Sequence, residues 1–160
     1  MFKKLMNKKL LKNQKGLTLI ELLAVIVILM IVAAIAVPAI GNIVENSRYN
    51  AVKADAINAL NAAHLYYTDN PGGETAGGNN VGDTTGSITI EQLKNAKYLE
   101  SGGKLEGITV TISKDNPKTI SATVTYSGSK KVTFSSSTIT SINKDPNKGS
   151  GAGGYTINKE

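Results

Sequence analysis

Side chains that could catalyse a reaction or bind a metal are few in this sequence. It contains no cysteine and a single histidine, His64, which excludes a disulfide framework and thiolate metal sites. No carboxylate spacing matches a calcium-binding loop, and neither a Gly-x-Ser-x-Gly element nor a His-Glu-x-x-His helix is present. We expect His64 to be a partly packed helix residue rather than a ligand. We therefore predict that the protein is not an enzyme and has no metal site and no cofactor.

Glu21 is the acidic residue with the most unusual surroundings. It lies in an apolar run that continues without a charge from residue 22 to residue 44. A run of this length can span the hydrocarbon core of a bilayer, which needs about 20 helical residues. An ionised carboxylate within that core costs about 2.5–3.5 kcal/mol even on insertion scales, so it usually has a function. The alternative is a tolerated charge at the membrane interface, since Lys15 is close in sequence.

The positive charge of the chain is confined to its beginning. Residues 1–16 contain six lysines and no acid, whereas residues 17–160 contain 12 basic and 12 acidic residues. Lysines beside an apolar helix favour a cytoplasmic N-terminus. The neutral remainder is not expected to bind nucleic acid, because it has no excess of positive charge to attract the phosphates. A secretory signal peptide and a plain single-pass anchor are the alternatives for this region, although the apolar run exceeds the 7–15 residues of a signal peptide core.

The segment Lys15-Gly16-Leu17-Thr18-Leu19-Ile20-Glu21-Leu22, with Pro38 further along the run, resembles the N-terminus of type IV prepilins and pseudopilins. The resemblance covers about residues 12 to 44, and Leu17 stands where the family more often has Phe. It implies that a prepilin peptidase cleaves between Gly16 and Leu17 and that the new N-terminus at Leu17 is methylated. It also implies that Glu21 neutralises the N-terminal cation of a neighbouring subunit during assembly. The absence of cysteine departs from pilins with a C-terminal disulfide and favours a Gram-positive type.

The function expected from this resemblance is that of a structural subunit of a type IV pilus-like surface filament, polymerised through its N-terminal helix. The implied partners are the peptidase, an assembly ATPase acting through a membrane platform protein, further copies of the chain and minor pilins. The chain would cross the cell membrane once before assembly, with its N-terminus in the cytoplasm, and lie in an extracellular filament afterwards. One alternative is a pseudopilin of a competence DNA-uptake or type II secretion-like machine. Another, of a different class, is a membrane-anchored surface binding module that does not polymerise.

The sequence pattern changes beyond Pro38 and Gly41, where we expect a kink or local unwinding of the helix. From there to Thr68, apolar residues recur at spacings of three and four, which predicts one buried face of an amphipathic helix. These residues are Tyr49, Val52, Ala56, Leu60, Ala63 and Tyr67. Polar residues such as Asn50 and Lys53 lie between them.

The remainder of the chain predicts a small sheet. A glycine-rich loop covers residues 70–86, and Thr89 is the expected N-cap of a short helix over residues 90–97. Apolar and polar residues then alternate over residues 108–112, 120–126 and 132–134, which predicts antiparallel strands. Residues 136–142 are compatible with strand or loop, and Tyr155 begins a possible last edge strand.

The predicted fold is α+β and pilin-like, with a long N-terminal helix packed on a small antiparallel β-meander. The first half of the helix is transmembrane and the second half is amphipathic. The predicted segments are a cleaved basic leader (1–16), an apolar transmembrane or filament-core helix (17–44), its amphipathic continuation (45–69) and a globular head (70–160).

Overall fold

The computed structural model describes the backbone of residues 2–72 and 86–159 and the side chains of residues 18–72 and 86–159. The chain divides into two compact units, Met1–Gly41 and Asn42–Glu160, which are described separately. Most of the predicted glycine-rich loop lies outside the described residues. The elements in order are α1 (Phe2–Asp69), β1 (Ser87–Ile88), α2 (Ile90–Asn95), a 3-10 turn (Gly103–Leu105), β2 (Val110–Ser113), β3 (Ile120–Ser127), β4 (Lys130–Ser137), α3 (Ile139–Lys144) and β5 (Tyr155–Asn158).

Helix α1 begins at Phe2, before the predicted start of the apolar helix at residue 17, and ends at Asp69, one residue after Thr68. Asn70 stops it by donating both its backbone N–H and its side-chain amide to the carbonyl of Tyr66, at 2.8 and 3.0 Å. These bonds satisfy a carbonyl of the last turn that has no partner within the helix. Pro71 follows and disfavours helical backbone at Asn70.

The second half of α1 supplies one side of the core of the second unit, as its spacing predicted. This unit, residues 42–160, is called the head below. All six apolar residues of the predicted stripe are buried, and Ala59, Ala62 and Tyr66 widen it. Spacings of three and four place such residues on one face of a helix. That face and the inner face of the sheet belong to one hydrophobic cluster. The expected α+β fold, with a long helix packed on a small sheet, is confirmed.

The sheet contains five strands in the order β1-β2-β3-β4-β5. The first four pair antiparallel, as expected. The prediction of a purely antiparallel meander is wrong at its end, because β5 pairs parallel with β4. Helix α3 lies between them and carries the chain back along the sheet. A strand that returns by such a crossover runs parallel to its neighbour.

Alternation along β3 separates the two faces of the sheet. Ile120, Ala122, Val124 and Tyr126 are buried, and the residues between them are exposed or half-buried. The neighbouring strand β4 contributes Val132 and Phe134 to the same inner face. One apolar face and one hydroxyl-rich face are typical of an antiparallel sheet covered on one side.

Residues 136–142 are neither simply strand nor loop. Strand β4 runs on to Ser137, with a register shift against β3 and a positive φ of 50° at Ser136. The shift turns the Ser137 side chain inward, where its hydroxyl donates to the carbonyl of Ile157. Thr138 then caps α3 through a reciprocal capping box with Ser141. The chain therefore forms a helix where the sequence favoured strand or loop.

The region before β2 was predicted in part. Thr89 caps α2 as expected, in a capping box with Gln92. The helix ends at Asn95, two residues before the predicted end. Strand β1 was not predicted, because two residues are too few to show an alternating pattern. It pairs with the end of β2 through Ser87–Ser113 and Ile88–Ile112.

Candidate functional site

The predicted cleavage site, the bond between Gly16 and Leu17, lies within α1. The side chains up to residue 17 are outside the part of the chain whose side chains are described. Cleavage at this bond and methylation of Leu17 therefore stay predictions.

Glu21 lies on the exposed surface of the first unit's helix. Its neighbours Ile20 and Leu22 are each 64% exposed. The ion pairs found among the described side chains do not include this carboxylate. An ionised carboxylate in apolar surroundings is costly unless an opposite charge or hydrogen bonds compensate it, and the assembly role of Glu21 stays a prediction.

Large apolar side chains cover the first unit's helix on all sides. Those from Leu19 to Ile40 are between 46% and 71% exposed. An exposed apolar surface of this extent marks a membrane or protein contact rather than a surface facing water.

One described helix could cross a membrane by length and composition. The stretch Thr18–Asp69 contains an 18-residue window of mean hydropathy 3.1, none of it buried. A signal sequence near an N-terminus is also long and apolar enough to meet these criteria. The residues around Gly16 and Glu21 are therefore needed to tell a signal sequence from a membrane anchor. The window agrees with membrane anchoring by the first half of the helix.

Pro38 and Gly41, the predicted kink positions, are both within α1. Proline lacks the N–H that would bond to the carbonyl of Ala34. A Cβ added at Gly41 would meet nothing within 4 Å. The kink stays a prediction.

A buried ionic cluster that the sequence did not reveal ties the C-terminal loop to α1. Asp145 accepts hydrogen bonds from the Tyr49 hydroxyl at 2.7 Å, from Lys53 Nζ at 3.2 Å and from Asn147 Nδ2 at 2.6 Å. Lys53 also donates to the Asp145 backbone carbonyl at 3.2 Å. The Asp145 and Lys53 side chains are only 4% and 14% exposed. We call these four residues the Asp145 clamp.

Contacts within the clamp keep the Asp145 carboxyl ionised and the Tyr49 phenol neutral. Burial alone would raise the pKa of the Asp145 carboxyl, but hydrogen bonds from Tyr49, Lys53 and Asn147 hold it below its usual value. Burial and the bond to Asp145 raise the pKa of the Tyr49 phenol far above its ordinary value. The clamp is therefore an ion pair with a neutral phenol at physiological pH.

The loop after the clamp continues to follow α1. Ser150 N–H donates to Asn46 Oδ1 at 2.9 Å, and the Tyr126 hydroxyl donates to the carbonyl of Gly149 at 3.2 Å. A Cβ at Gly149 would overlap the carbonyl of Glu45 and lie 2.6 Å from the Tyr49 Cβ. The close approach of this loop to the helix therefore requires glycine.

A second polar centre fixes the loop between α2 and β2. Glu106 Oε1 accepts from Lys94 Nζ at 2.8 Å, Gly102 N–H at 2.9 Å and Ser101 Oγ at 3.2 Å. These bonds, that from Lys94 first, lower the pKa of Glu106 to about 2. Asp55 Oδ2 accepts from the Lys104 N–H at 2.8 Å and joins the same loop to α1. Both carboxylates have structural partners, which accounts for them without a ligand.

The described residues contain no group of three or more His, Asp or Glu side chains that could hold a metal ion. His64 is exposed on α1 rather than partly packed.

Comparison with known proteins identifies the N-terminal segment and nothing beyond it. Residues 11–37 match the family model described as the prokaryotic N-terminal methylation motif. No curated protein matches the chain, and no solved structure does. The matched residues include the predicted cleavage site, Glu21 and most of the exposed apolar helix. Over residues 11–37 the chain thus carries a segment of the type IV prepilin and pseudopilin family, joined to an α+β head.

Proposed function

We propose that the mature chain is the structural subunit of a type IV pilus-like surface filament. The methylation motif at residues 11–37 supports a pilin-like or pseudopilin precursor, a structural rather than a catalytic protein. The filament proposal goes further and rests on Glu21. It is the only charged residue between Gly16 and Glu45, and the apolar side chains around it are exposed on the helix.

The physical argument is one of charge compensation. A plain anchor gains nothing from an acid in its apolar run, since the acid opposes insertion by about 2.5–3.5 kcal/mol. A polymer subunit can use the same acid, because removal of the leader would leave an amino group at Leu17 of each copy. A carboxylate and an ammonium buried together stabilise each other, and such a pair can also fix register, as single polar positions do in coiled coils.

The proposal assigns a role to each segment of the chain. Residues 1–16 are a leader removed after Gly16, and residues 17–44 hold the monomer in the cell membrane and then form the filament core. Pro38 and Gly41 give this helix a kink. Residues 45–69 continue the helix into the head, and residues 70–160, the rest of the head, coat the filament on the cell exterior.

The proposed partners follow from the motif. A prepilin peptidase cleaves the leader, the Leu17 amino group is methylated, and an assembly ATPase acts through a membrane platform protein. The polymer contains copies of this chain together with minor pilins.

Mass spectrometry of the mature N-terminus tests the processing step. We expect the protein to begin at Leu17 with one added methyl group, because the lysine-rich leader stays cytoplasmic. A mature protein that begins between residues 34 and 40 would instead show the action of a conventional signal peptidase.

The variant Glu21→Leu tests polymerisation. It should be processed and inserted normally, since an unfavourable group leaves the apolar run. It should be absent from sheared surface filaments, because the neighbour's N-terminal cation would lack its partner, a loss of about 3–5 kcal/mol for a buried pair. Glu100→Gln, which removes an exposed acid of the head, is the matched control and should assemble.

The alternatives give different outcomes. Normal filaments from Glu21→Leu cells with no wild-type copy would contradict the charge-compensation argument and favour an anchored binding module. Lost DNA uptake or secretion in a deletion strain that still forms surface filaments would favour the pseudopilin role.

A further inference from the structure

Four basic residues lie together at the end of the head where the chain leaves the apolar segment. Arg48 is on α1 and its guanidinium lies 3.4 Å from the Ser127 hydroxyl at the end of β3. Lys130 and Lys131 begin β4. Lys130 lies on the face that packs on α1, where it bonds to Glu45 at 2.5 Å, and Lys131 lies on the opposite, exposed face at the same end of the strand. We call this group, completed by Lys148, the basic end.

Lys148 joins the group through the C-terminal loop. Its neighbour Gly149 packs on the backbone of Glu45. Further along the loop, the Gly154 N–H donates to the carbonyl of Lys131 at 3.0 Å. Four elements, α1, β3, β4 and the C-terminal loop, therefore meet at this one end.

The basic end holds more positive charge than the whole head. Residues 42–160 contain 12 basic and 11 acidic residues. The basic end has four cations and the single acid Glu45, a net charge of +3. Since the net charge of residues 42–160 is +1, the rest of the head has a net charge of −2. The nearby clamp adds nothing, because Lys53 and Asp145 neutralise each other. The head is thus electrically polar although nearly neutral.

The ion pairs among the described side chains do not include three of these cations. Arg48, Lys131 and Lys148 are exposed, and Lys130 is half-buried in its ion pair. The apolar run ends at Val44, and Glu45 and Arg48 follow it directly. Connectivity alone therefore keeps Arg48 within a few residues of any bilayer that residues 17–44 span, and Lys130 and Gly149 contact Glu45, three residues before it.

We propose that the basic end docks on the anionic phospholipid headgroups of the membrane that anchors the unassembled subunit. The proposal rests on the anchoring part of the proposed function and does not require polymerisation. Where the leaflet that faces the head carries anionic lipid, each basic side chain near its surface strengthens association about fivefold. Three such residues change the ratio of docked to undocked heads by about a hundredfold. Docking gives the head one orientation on the membrane before assembly.

The full chain, reconstituted in lipid vesicles, allows a direct test. Since the sequence contains no cysteine, Ser129→Cys in the exposed turn between β3 and β4 provides a single labelling position. Energy transfer from a dye at this residue to an acceptor on the lipid headgroups reports docking. We expect higher transfer in vesicles containing phosphatidylglycerol than in pure phosphatidylcholine. It should fall at 1 M salt, where the screening length is about 3 Å.

The charge variant is the triple change Arg48→Gln, Lys131→Gln and Lys148→Gln. It should lose the dependence of energy transfer on phosphatidylglycerol, because the ratio of docked to undocked heads falls about a hundredfold. The matched control removes three exposed lysines elsewhere on the head, Lys97, Lys104 and Lys114, each to Gln, and should retain that dependence. Thermal melts show whether either triple variant is unfolded. If the charge variant is unfolded, the single variants Arg48→Gln and Lys148→Gln replace it.

Three results separate the proposal from its alternatives. Flotation of the chain with vesicles tests anchoring itself, so lost flotation contradicts the membrane role rather than docking. Normal flotation with equal energy transfer in neutral and anionic vesicles would overturn the docking proposal. Equal transfer together with loss of filaments in the triple variant would also overturn it and assign the basic end to a neighbouring subunit.

Discussion

The Asp145 clamp provides the sharpest test of how the head is stabilised. Replacing Asp145 by Asn keeps the shape of the side chain but removes its charge. Lys53 would then be left 14% exposed with only neutral acceptors, among them the Asp145 carbonyl at 3.2 Å. Removing one partner of a buried pair costs about 3–5 kcal/mol. We expect about 3 kcal/mol here, at the lower end of that range, because Lys53 keeps some water and one carbonyl.

The measurement is the unfolding of residues 42–160 by urea and by heat, monitored by circular dichroism. A loss of about 3 kcal/mol should lower the melting temperature of a domain of this size by roughly 10 °C. The double variant Lys53→Met with Asp145→Asn removes both charges and should lose only about 1 kcal/mol, since neutral replacement of a buried pair is often tolerated.

An exposed ion pair serves as the control. Lys94 and Glu106 are 37% and 42% exposed, so Lys94→Gln should destabilise the head much less than Asp145→Asn. The argument fails if the two single variants lose equal stability. It also fails if the double variant is as unstable as Asp145→Asn, because the penalty would then not come from an unpaired lysine.

Three further predictions concern the head. The folded pKa of Asp145 lies below its unfolded value of about 3.9. The stability that its carboxylate contributes is therefore present above about pH 3.9 and lost as the pH falls through the folded pKa. Urea midpoints should fall less steeply below pH 4 in Asp145→Asn than in wild type. Gly149→Ala should unfold at markedly lower urea, because the new Cβ would overlap the Glu45 carbonyl, whereas Ser150→Ala, whose recorded bond is made by its backbone, should melt like wild type. The head, with a net charge of only +1, should bind duplex DNA weakly at physiological salt in a titration, and micromolar, strongly salt-dependent binding would contradict this.

The helix face and the strands were predictable because they depend on local periodicity. Tyr49, Leu60 and Tyr67 follow helical spacing and are buried as expected. The Thr89 cap could be predicted because threonine followed by glutamine three residues later is a local signal. Thr138 gave a weaker signal, since serine stands at the third position of its helix, and the hydroxyl-rich residues before it are equally compatible with a strand.

Features that depend on distant residues could not be predicted. Lys53 fits a solvent-exposed position of the helix by spacing, but it is half-buried because Asp145, 92 residues later, lies against it. The parallel direction of β5 follows from the α3 crossover, which alternation within Tyr155–Asn158 does not encode. The N-terminal segment differs, because here the sequence is more informative than the structure. Its interpretation depends on the order of residues around Gly16 and Glu21, which only the sequence provides.

The position of the Asp145 clamp has a mechanical consequence. Tension applied to the head through the N-terminal helix is first borne near Asn46, Tyr49 and Lys53, the residues that bond to the C-terminal loop. The load would therefore pass within three turns of helix to the opposite end of the chain, before it reaches the strands. In a pulling experiment on the single molecule, release of the loop from α1 should precede unfolding of the sheet. Asp145→Asn should then lower the force of the first rupture and leave the second unchanged.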